Sequence, residues 1–404
     1  MYKYIDIFAL ILLLLIFKVS FSNQSDNTNL IQIRLNCNQV KTPILCDKVK
    51  IAFTNAAIII LNTFEFKEPI IVNANFAKLC NNCDILGSAG PAKLIPLKDD
   101  DEKIRLYPQA LVKQLQLSNY YEFAEYDILA EFNSEYSKFW FRGDQEINSE
   151  QIDFELILIH ELLHGLGFGT SWDDYLNYDD SGILTPSLSF LDSNIDNGKG
   201  SIKFTGFHEF AMDKYLVFTK DNSSLGIITD LLNQFTINKT EFVSKKQFAI
   251  EFAKSLQFIE AKKMFNISTT SGMIAFRIPI DNFNVLMETS LFPFMPGSTF
   301  SHLDYNTVIN TTDFLMKFEA PYNVTLDDLK SINGYNLDYT NPIGPLTIRI
   351  LQSIGYVFII LLKYNLNKKF LLIFANLFRY SIKDNAGKLQ FKDISQLRDS
   401  ILIL

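Results

Sequence analysis

Histidine is nearly absent from this chain: four occur in 404 residues, His160, His164, His208 and His302. Any imidazole-based metal site must therefore draw on these positions. Cysteine is as sparse, with Cys37, Cys46, Cys80 and Cys83 all ahead of the first histidine. Four such cysteines suit disulfides in an oxidising compartment, and three pairings are open. The Cys80-Asn81-Asn82-Cys83 run has no thioredoxin-like strand–helix pattern around it, which favours a structural bridge over a redox motif. Positive charge is not in excess. A formal net charge of −8 and a pI near 5.2 leave no basic footprint for nucleic acid and no polybasic signal for anionic lipid. Asp99-Asp100-Asp101-Glu102 lacks the ligand spacing of an EF-hand and reads as a solvated turn. The apolar run from Ile7 to Phe17 is too short to span a bilayer. With Lys3 ahead of it and small Ser20 and Ser22 behind, it reads as a secretory signal peptide over residues 1–22. Six Asn-x-Ser/Thr sequons, at Asn23, Asn222, Asn238, Asn266, Asn310 and Asn323, fit the same secreted address.

What is present is apolar material for a large core, 48% of residues, enough for one catalytic unit of two subdomains. Within it, Ile157-Leu158-Ile159-His160-Glu161-Leu162-Leu163-His164-Gly165-Leu166-Gly167-Phe168 concentrates two imidazoles and a carboxylate in an apolar run. On a helix, residues four apart share a face, so His160 and His164 can offer two nitrogens to one Zn²⁺. Glu161 then stands beside the metal, where a carboxylate can take a proton from metal-activated water and pass it to a leaving amine. A catalytic zinc usually has three protein ligands. The compact pattern His-Glu-x-x-His-x-x-Gly-x-x-His fails at its last position, which is Thr170, so the third ligand comes from farther away.

Around this centre the chain divides into coarse elements. A helix is expected over 47–63, a strand over 69–76, a loop at Gly87, Gly90 and Pro91, and two strands over 126–132 and 138–143 joined by a polar turn. One of those two strands is placed to border the cleft and receive an extended peptide. Asn148 or Ser149, with Gln151, resembles a capping box for the histidine helix, and Gly165 and Gly167 end it. Helical spacing recurs over Phe207–Phe218 and Lys245–Lys263. After a closing helix over 346–356, two short apolar segments, Val357–Leu362 and Phe370–Phe378, offer an amphipathic pair for packing or for peripheral membrane contact.

The run His160-Glu161-x-x-His164-x-x-Gly167-Phe168 resembles the leishmanolysin-like branch of the metzincin metallopeptidases, in which a long insertion separates it from the third histidine. Ser301-His302-Leu303-Asp304 is similar to the segment carrying that histidine, Met287-Glu288 to the stretch before it, and Leu315-Met316 to the following Met-turn. The likeness covers roughly residues 120–355, with an insertion longer than in leishmanolysin and without that family's many disulfides. It implies an α+β, metzincin-like zincin: a twisted sheet plus the active-site helix in an upper subdomain, over a mostly irregular and helical lower one. Residues 23–120 would open the catalytic unit, 121–355 form its core and 356–404 a tail. It further implies one Zn²⁺ per chain on His160, His164 and His302, Glu161 as general base and acid, Met316 beneath the metal, and protein or peptide substrates. His208, Asp173 and Asp174 are the competing third ligands. The different-class alternative is a catalytically inactive extracellular binding or adhesion module that retains the fold.

Overall fold

The computed structural model describes residues 29–359, apart from 38–41, 81–84, 120, 177–181, 194–200, 238–239 and 335–338. The expected signal peptide, the sequons at Asn23 and Asn238, Cys83 and nearly all of the tail lie outside the described residues. The chain is mixed α and β, an α+β arrangement, and its described elements fall within one compact unit ending at Phe358.

Its opening strands are β1 (Ile31–Asn36), β2 (Phe64–Glu65), β3 (Ile70–Ala77), β4 (Gly87–Pro91), β5 (Leu94–Lys98), β6 (Ile104–Pro108) and β7 (Ile128–Asn133). Four of them form a sheet in the order β1-β3-β7-β4, parallel except for β4, which runs antiparallel along β7. The period-2 pattern of β3 turns Ile70, Val72, Ala74 and Phe76 into the core, and β7 does the same with Ile128, Ala130 and Phe132. Against that face lie helix Pro43–Thr63, through Val49, Ala52, Phe53, Ala56 and Ile60, and the histidine helix Phe154–Gly165. Phe154, the first residue of the histidine helix, is the hub of an aromatic cluster, with ring centroids of Phe139, Phe141, Phe132 and Phe76 at 4.8, 5.0, 5.5 and 5.6 Å. Aromatic pairs at these separations add to area burial by about 0.5–1.5 kcal/mol each. The helix is buried nearly all round, as its apolar composition requires.

Several local expectations give way to tertiary contacts. Gly87–Pro91 is a strand and not a loop: its small residues fit against β7, where a Cβ at Gly87 would come within 2.5 Å of the Phe132 ring. β4 is also the sheet edge beside the histidine helix, so the cleft is bordered by β4, while the 126–132 strand is interior. The 138–143 stretch is strand only at β8 (Phe139–Trp140), which pairs in parallel with β9 (Ile152–Asp153) and not with β7. The histidine helix is capped by Asp153, whose Oδ1 accepts the Glu155 amide at 2.9 Å and whose Oδ2 accepts that of Leu326 at 2.8 Å. Asn148 and Gln151 instead close a separate turn upstream.

The stretch between the histidine helix and His302 holds β10 (Ser187–Ser193), β11 (Ser201–His208), β12 (Leu216–Phe218), β13 (Glu241–Phe242), β14 (Ile274–Ile278) and β15 (Phe283–Leu286), in two small antiparallel sheets. The helix expected over Phe207–Phe218 is reduced to one 3₁₀ turn, Met212–Tyr215, between β11 and β12. Asn233 takes both the amide and the carbonyl of Phe207 (2.7 and 3.0 Å), and the Glu209 carbonyl accepts from Leu106, so those backbone groups are not available to a helical ladder. Lys245–Lys263 is two helices, Lys245–Phe252 and Leu256–Ser268, with Ser255 capping the second through the Phe258 amide. This region is fastened to the β5–β6 hairpin by a buried ionic cluster. Arg105, 2% exposed, donates to Glu209 at 2.9 Å and to Asp101 at 2.8 Å, and Lys214 reaches Asp99 at 2.6 Å and Asp100 at 2.7 Å. The acidic turn is thus not merely solvated: Asp99 and Asp101 are engaged by Arg105, and Asp99 and Asp100 by Lys214, while Glu102 pairs with Lys98 at the surface. Burial would raise Asp99, but hydrogen bonds from Lys214, the Asp100 amide and Tyr107 hold it down at about 2.

Cys37 and Cys46 are bridged, with Cα atoms 5.9 Å apart, and Cys80 is disulfide-bonded as well. The closing helix Pro345–Ile354 ends at Gly355, and Val357–Phe358 pairs antiparallel with β2.

Gly165 decides how closely the histidine helix approaches the sheet, because a Cβ there would overlap the Ile128 side chain on β7. Alanine would gain about 1 kcal/mol of helix propensity, against about 1–3 kcal/mol for overpacking. Gly165→Ala is expected to lower the urea midpoint of unfolding, and an unchanged or higher midpoint would show that β7 yields freely.

Candidate metal centre

One helical turn separates His160 and His164, and the helix holds their Nε2 atoms 3.1 Å apart. His302 arrives from 138 residues downstream of His164, placing its Nε2 3.0 Å from that of His160 and 3.2 Å from that of His164. Its segment is registered by the backbone: Glu288 N–H donates to the His302 carbonyl, Phe300 N–H to that of Glu288, and Leu303 N–H to that of Met316. Met287 and Leu303 form an antiparallel bridge. The stretches that bear Met287, His302 and Met316 are therefore one interlocked unit.

Each imidazole is oriented from behind. Nδ1 of His160 donates to the Leu315 carbonyl at 2.7 Å, that of His164 to Phe168 at 2.6 Å and that of His302 to Ser298 at 2.9 Å. Carbonyls only accept, so each Nδ1 carries the proton and each Nε2 presents a bare lone pair. Three lone pairs then converge with no proton between them, a repulsive arrangement that a cation converts into an attractive one. A tetrahedral Zn²⁺ with ligands at 2.0–2.1 Å sets its nitrogens about 3.3–3.4 Å apart, close to what is found. The donor set thus fits zinc, and the backbone carbonyls behind the rings fix the tautomer in the way metal-ligating histidines require. Burial favours the same protonation state: it pushes His160 down to about 3, His302 well below its ordinary value, and His164 down.

Glu161 points into the same cleft, of about 620 Å³, which the Gly87–Pro91 edge, Met295, Ser298 and Lys317 also line. Its Oε2 accepts the Ala89 amide of β4 at 2.9 Å. Burial raises its carboxyl to about 7, with that amide pulling the other way. The 3₁₀ turn Phe314–Met316 carries both the Leu315 carbonyl that braces His160 and the fully buried Met316.

The competing ligands are elsewhere. His208 ends β11 opposite Ser187, and Asp173 exchanges backbone hydrogen bonds with Thr185 at 2.9 and 3.1 Å, with Asp174 beside it. Among the described residues, neither His208 nor these aspartates share a ligand cluster with His160 and His164; His302 does. Local patterns carried no trace of the three bracing carbonyls or of the Ala89 amide, because backbone groups have no residue signature.

A mixed α and β chain with a three-histidine cluster facing a cleft is the class that fold and site define. The chain belongs to the SPBPB7E8-like family, which matches residues 16–373. It is 25% identical over 377 residues to "Uncharacterized protein PB7E8.01" of Schizosaccharomyces pombe, an alignment covering 84% of this chain and 64% of that relative's length. No solved structure matches.

Because the folded site disfavours imidazolium, protons compete with metal only well below the free-histidine value of about 6.5. Purified protein is expected to retain bound zinc at pH 5.5 by elemental analysis, His302→Ala to lose it already at pH 7, and His208→Ala to match wild type. Zinc loss centred near pH 6.5 would refute the burial argument, and zinc-loaded His302→Ala would refute the ligand set.

Proposed function

We propose that this chain is a secreted zinc-dependent endopeptidase with a metzincin-like, leishmanolysin-like catalytic unit. One observation carries the reading: three converging Nε2 atoms, on rings braced from behind through Nδ1, share an open cleft with a half-buried glutamate. His160, His164 and His302 would hold one Zn²⁺ per chain. When bound, that ion supplies Lewis-acid polarisation of a carbonyl and acidification of water. Glu161 keeps one oxygen on the Ala89 amide; among the described residues no donor is paired with Oε1. That oxygen accepts a proton from the attacking water and delivers it to the departing amine nitrogen. The carboxyl value of about 7 set by burial suits a group that must both take and give a proton near neutrality, and a neighbouring cation would favour its charged form.

The antiparallel β4 edge would align an extended peptide by strand addition across the cleft. The order of parts supports the finer fold reading: histidine helix, distant histidine, then a tight turn bearing the buried Met316 next to the Leu315 carbonyl that braces His160. An inactive binding module would have no use for Glu161 held in the same cleft as the cluster. The disulfides and the exposed sequon asparagines Asn222, Asn266, Asn310 and Asn323 support passage through an oxidising, glycosylating compartment. Among the described residues no helix is long and apolar enough to cross a membrane.

Glu161→Gln is expected to bind zinc as the wild type does while losing at least about a hundredfold in hydrolysis of an unstructured protein, since general acid–base catalysis contributes about 10²–10⁴-fold. Wild-type cleavage should stop with a chelator and return with zinc. Full activity in Glu161→Gln would sink the mechanism, and a zinc-loaded wild type that cleaves nothing would favour the binding module.

A further inference from the structure

Lys317 directly follows the 314–316 turn and lines the same cleft as the histidines and Glu161. It is only 5% exposed. A lysine buried that far ordinarily has a carboxylate partner. Here the ammonium donates to the backbone carbonyl of Glu319 and stands 5.3 Å from the Tyr305 ring. Among the described residues no carboxylate forms an ion pair with it; Glu319 is felt only as a more distant charge. An ammonium has three donors, so two remain without a described acceptor. Its charge is close enough to His160 to push that imidazole's pKa down, which places it within electrostatic reach of the reacting centre. Burial lowers Lys317 itself to about 8, leaving it cationic at neutral pH. Of the described residues that line the cleft, it is the one lysine or arginine, while Glu161 and Glu319 are the acidic side chains.

We propose that Lys317 is a substrate-binding residue that accepts a carboxylate in the cleft, so that the chain acts on peptides bearing an acidic group close to the scissile bond. This rests on the peptidase reading above. An incoming carboxylate would fill the open donors of this largely buried ammonium with charge-assisted hydrogen bonds, which strengthen as water is excluded. Acidic side chains and a free C-terminal carboxylate offer the same chemistry, and the two sources separate by experiment.

The test uses the full chain carrying Glu161→Gln, which holds peptide without turnover, and matched fluorescent peptides read by anisotropy. One pair differs by Glu against Gln at an internal position, the other by a free against an amidated C-terminus. Preference in the first pair assigns a side chain, and in the second a terminal carboxylate. The acidic member of one pair is expected to bind about tenfold or more tighter, as a hydrogen bond to a charged group allows. That ratio should fall to near one when Lys317→Met is added and be partly kept with Lys317→Arg. Thermal unfolding and zinc content establish that each variant is folded, with Lys317→Gln serving where the methionine variant is not. Equal binding of all pairs, or an acid preference that survives Lys317→Met in a folded chain, overturns the proposal. Wild type that hydrolyses none of the peptides while the Lys317-dependent ratio persists would instead remove the peptidase reading and leave the carboxylate site standing.

Discussion

Three imidazoles with their protons turned outward, onto carbonyls at 2.6–2.9 Å, and their lone pairs turned inward, within 3.2 Å of one another, set the terms for this molecule. Such an arrangement is costly for an apo protein: the nitrogens repel, and burial forbids the protonation that would relieve them. A fold that maintains it has to brace each ring independently. The three carbonyls come from the exit of the histidine helix, from the loop ahead of His302 and from the turn at Met316. Segments more than a hundred residues apart must therefore meet before the site exists: the Leu315 carbonyl on His160 joins them, and the backbone interlock of Glu288, Phe300, Leu303 and Met316 holds the downstream segment in register.

The same demand explains the scaffold behind the site. The histidine helix cannot drift, because Asp153 caps it while also holding Leu326, Phe154 is ringed by four aromatic neighbours, and Gly165 brings its far end onto β7. The long stretch between His164 and His302 is anchored at a different point, by Arg105, Glu209, Lys214 and Asp99. A buried ion cluster of this kind adds little net stability over an apolar contact, but breaking one partner is severe, so it fixes where that stretch docks. Asp213 adds a second anchor, accepting from Thr170 at 2.5 Å, the Ser171 amide at 2.9 Å and the Phe210 amide at 2.8 Å. Chain that would otherwise be a floppy connection is held beside the exit of the helix that bears two ligands.

Read as a sequence, the chain discloses those parts whose cause is local. His160 and His164 declare themselves through spacing on an apolar helix, and helix Pro43–Thr63, β3 and the closing helix Pro345–Ile354 follow from runs of apolar residues with turn residues at their ends. The scarcity of histidine does the rest, since with four in the chain the third ligand has few candidates. Where the cause is a partner distant in sequence, local reading fails. Gly87–Pro91 has the composition of a loop and becomes a strand because β7 offers it a ladder and a close surface. Phe207–Phe218 has helical spacing, yet it becomes the end of β11, a 3₁₀ turn over Met212–Tyr215 and β12, and Asn233 and Leu106 claim the backbone groups at its start.

The sequence by itself therefore determined the ligand pair, the carboxylate beside it and the short list from which a third imidazole had to come, because residue type and helical geometry suffice for those. Only the tertiary structure decided that His302, and not His208, Asp173 or Asp174, shares a cluster with them. It alone decided that β4 edges the cleft and hands its Ala89 amide to Glu161, and that Lys317 is buried there without a carboxylate partner among the described residues. These are matters of which segments meet in space, and contacts between parts of the chain far apart in sequence leave no periodic mark on either partner.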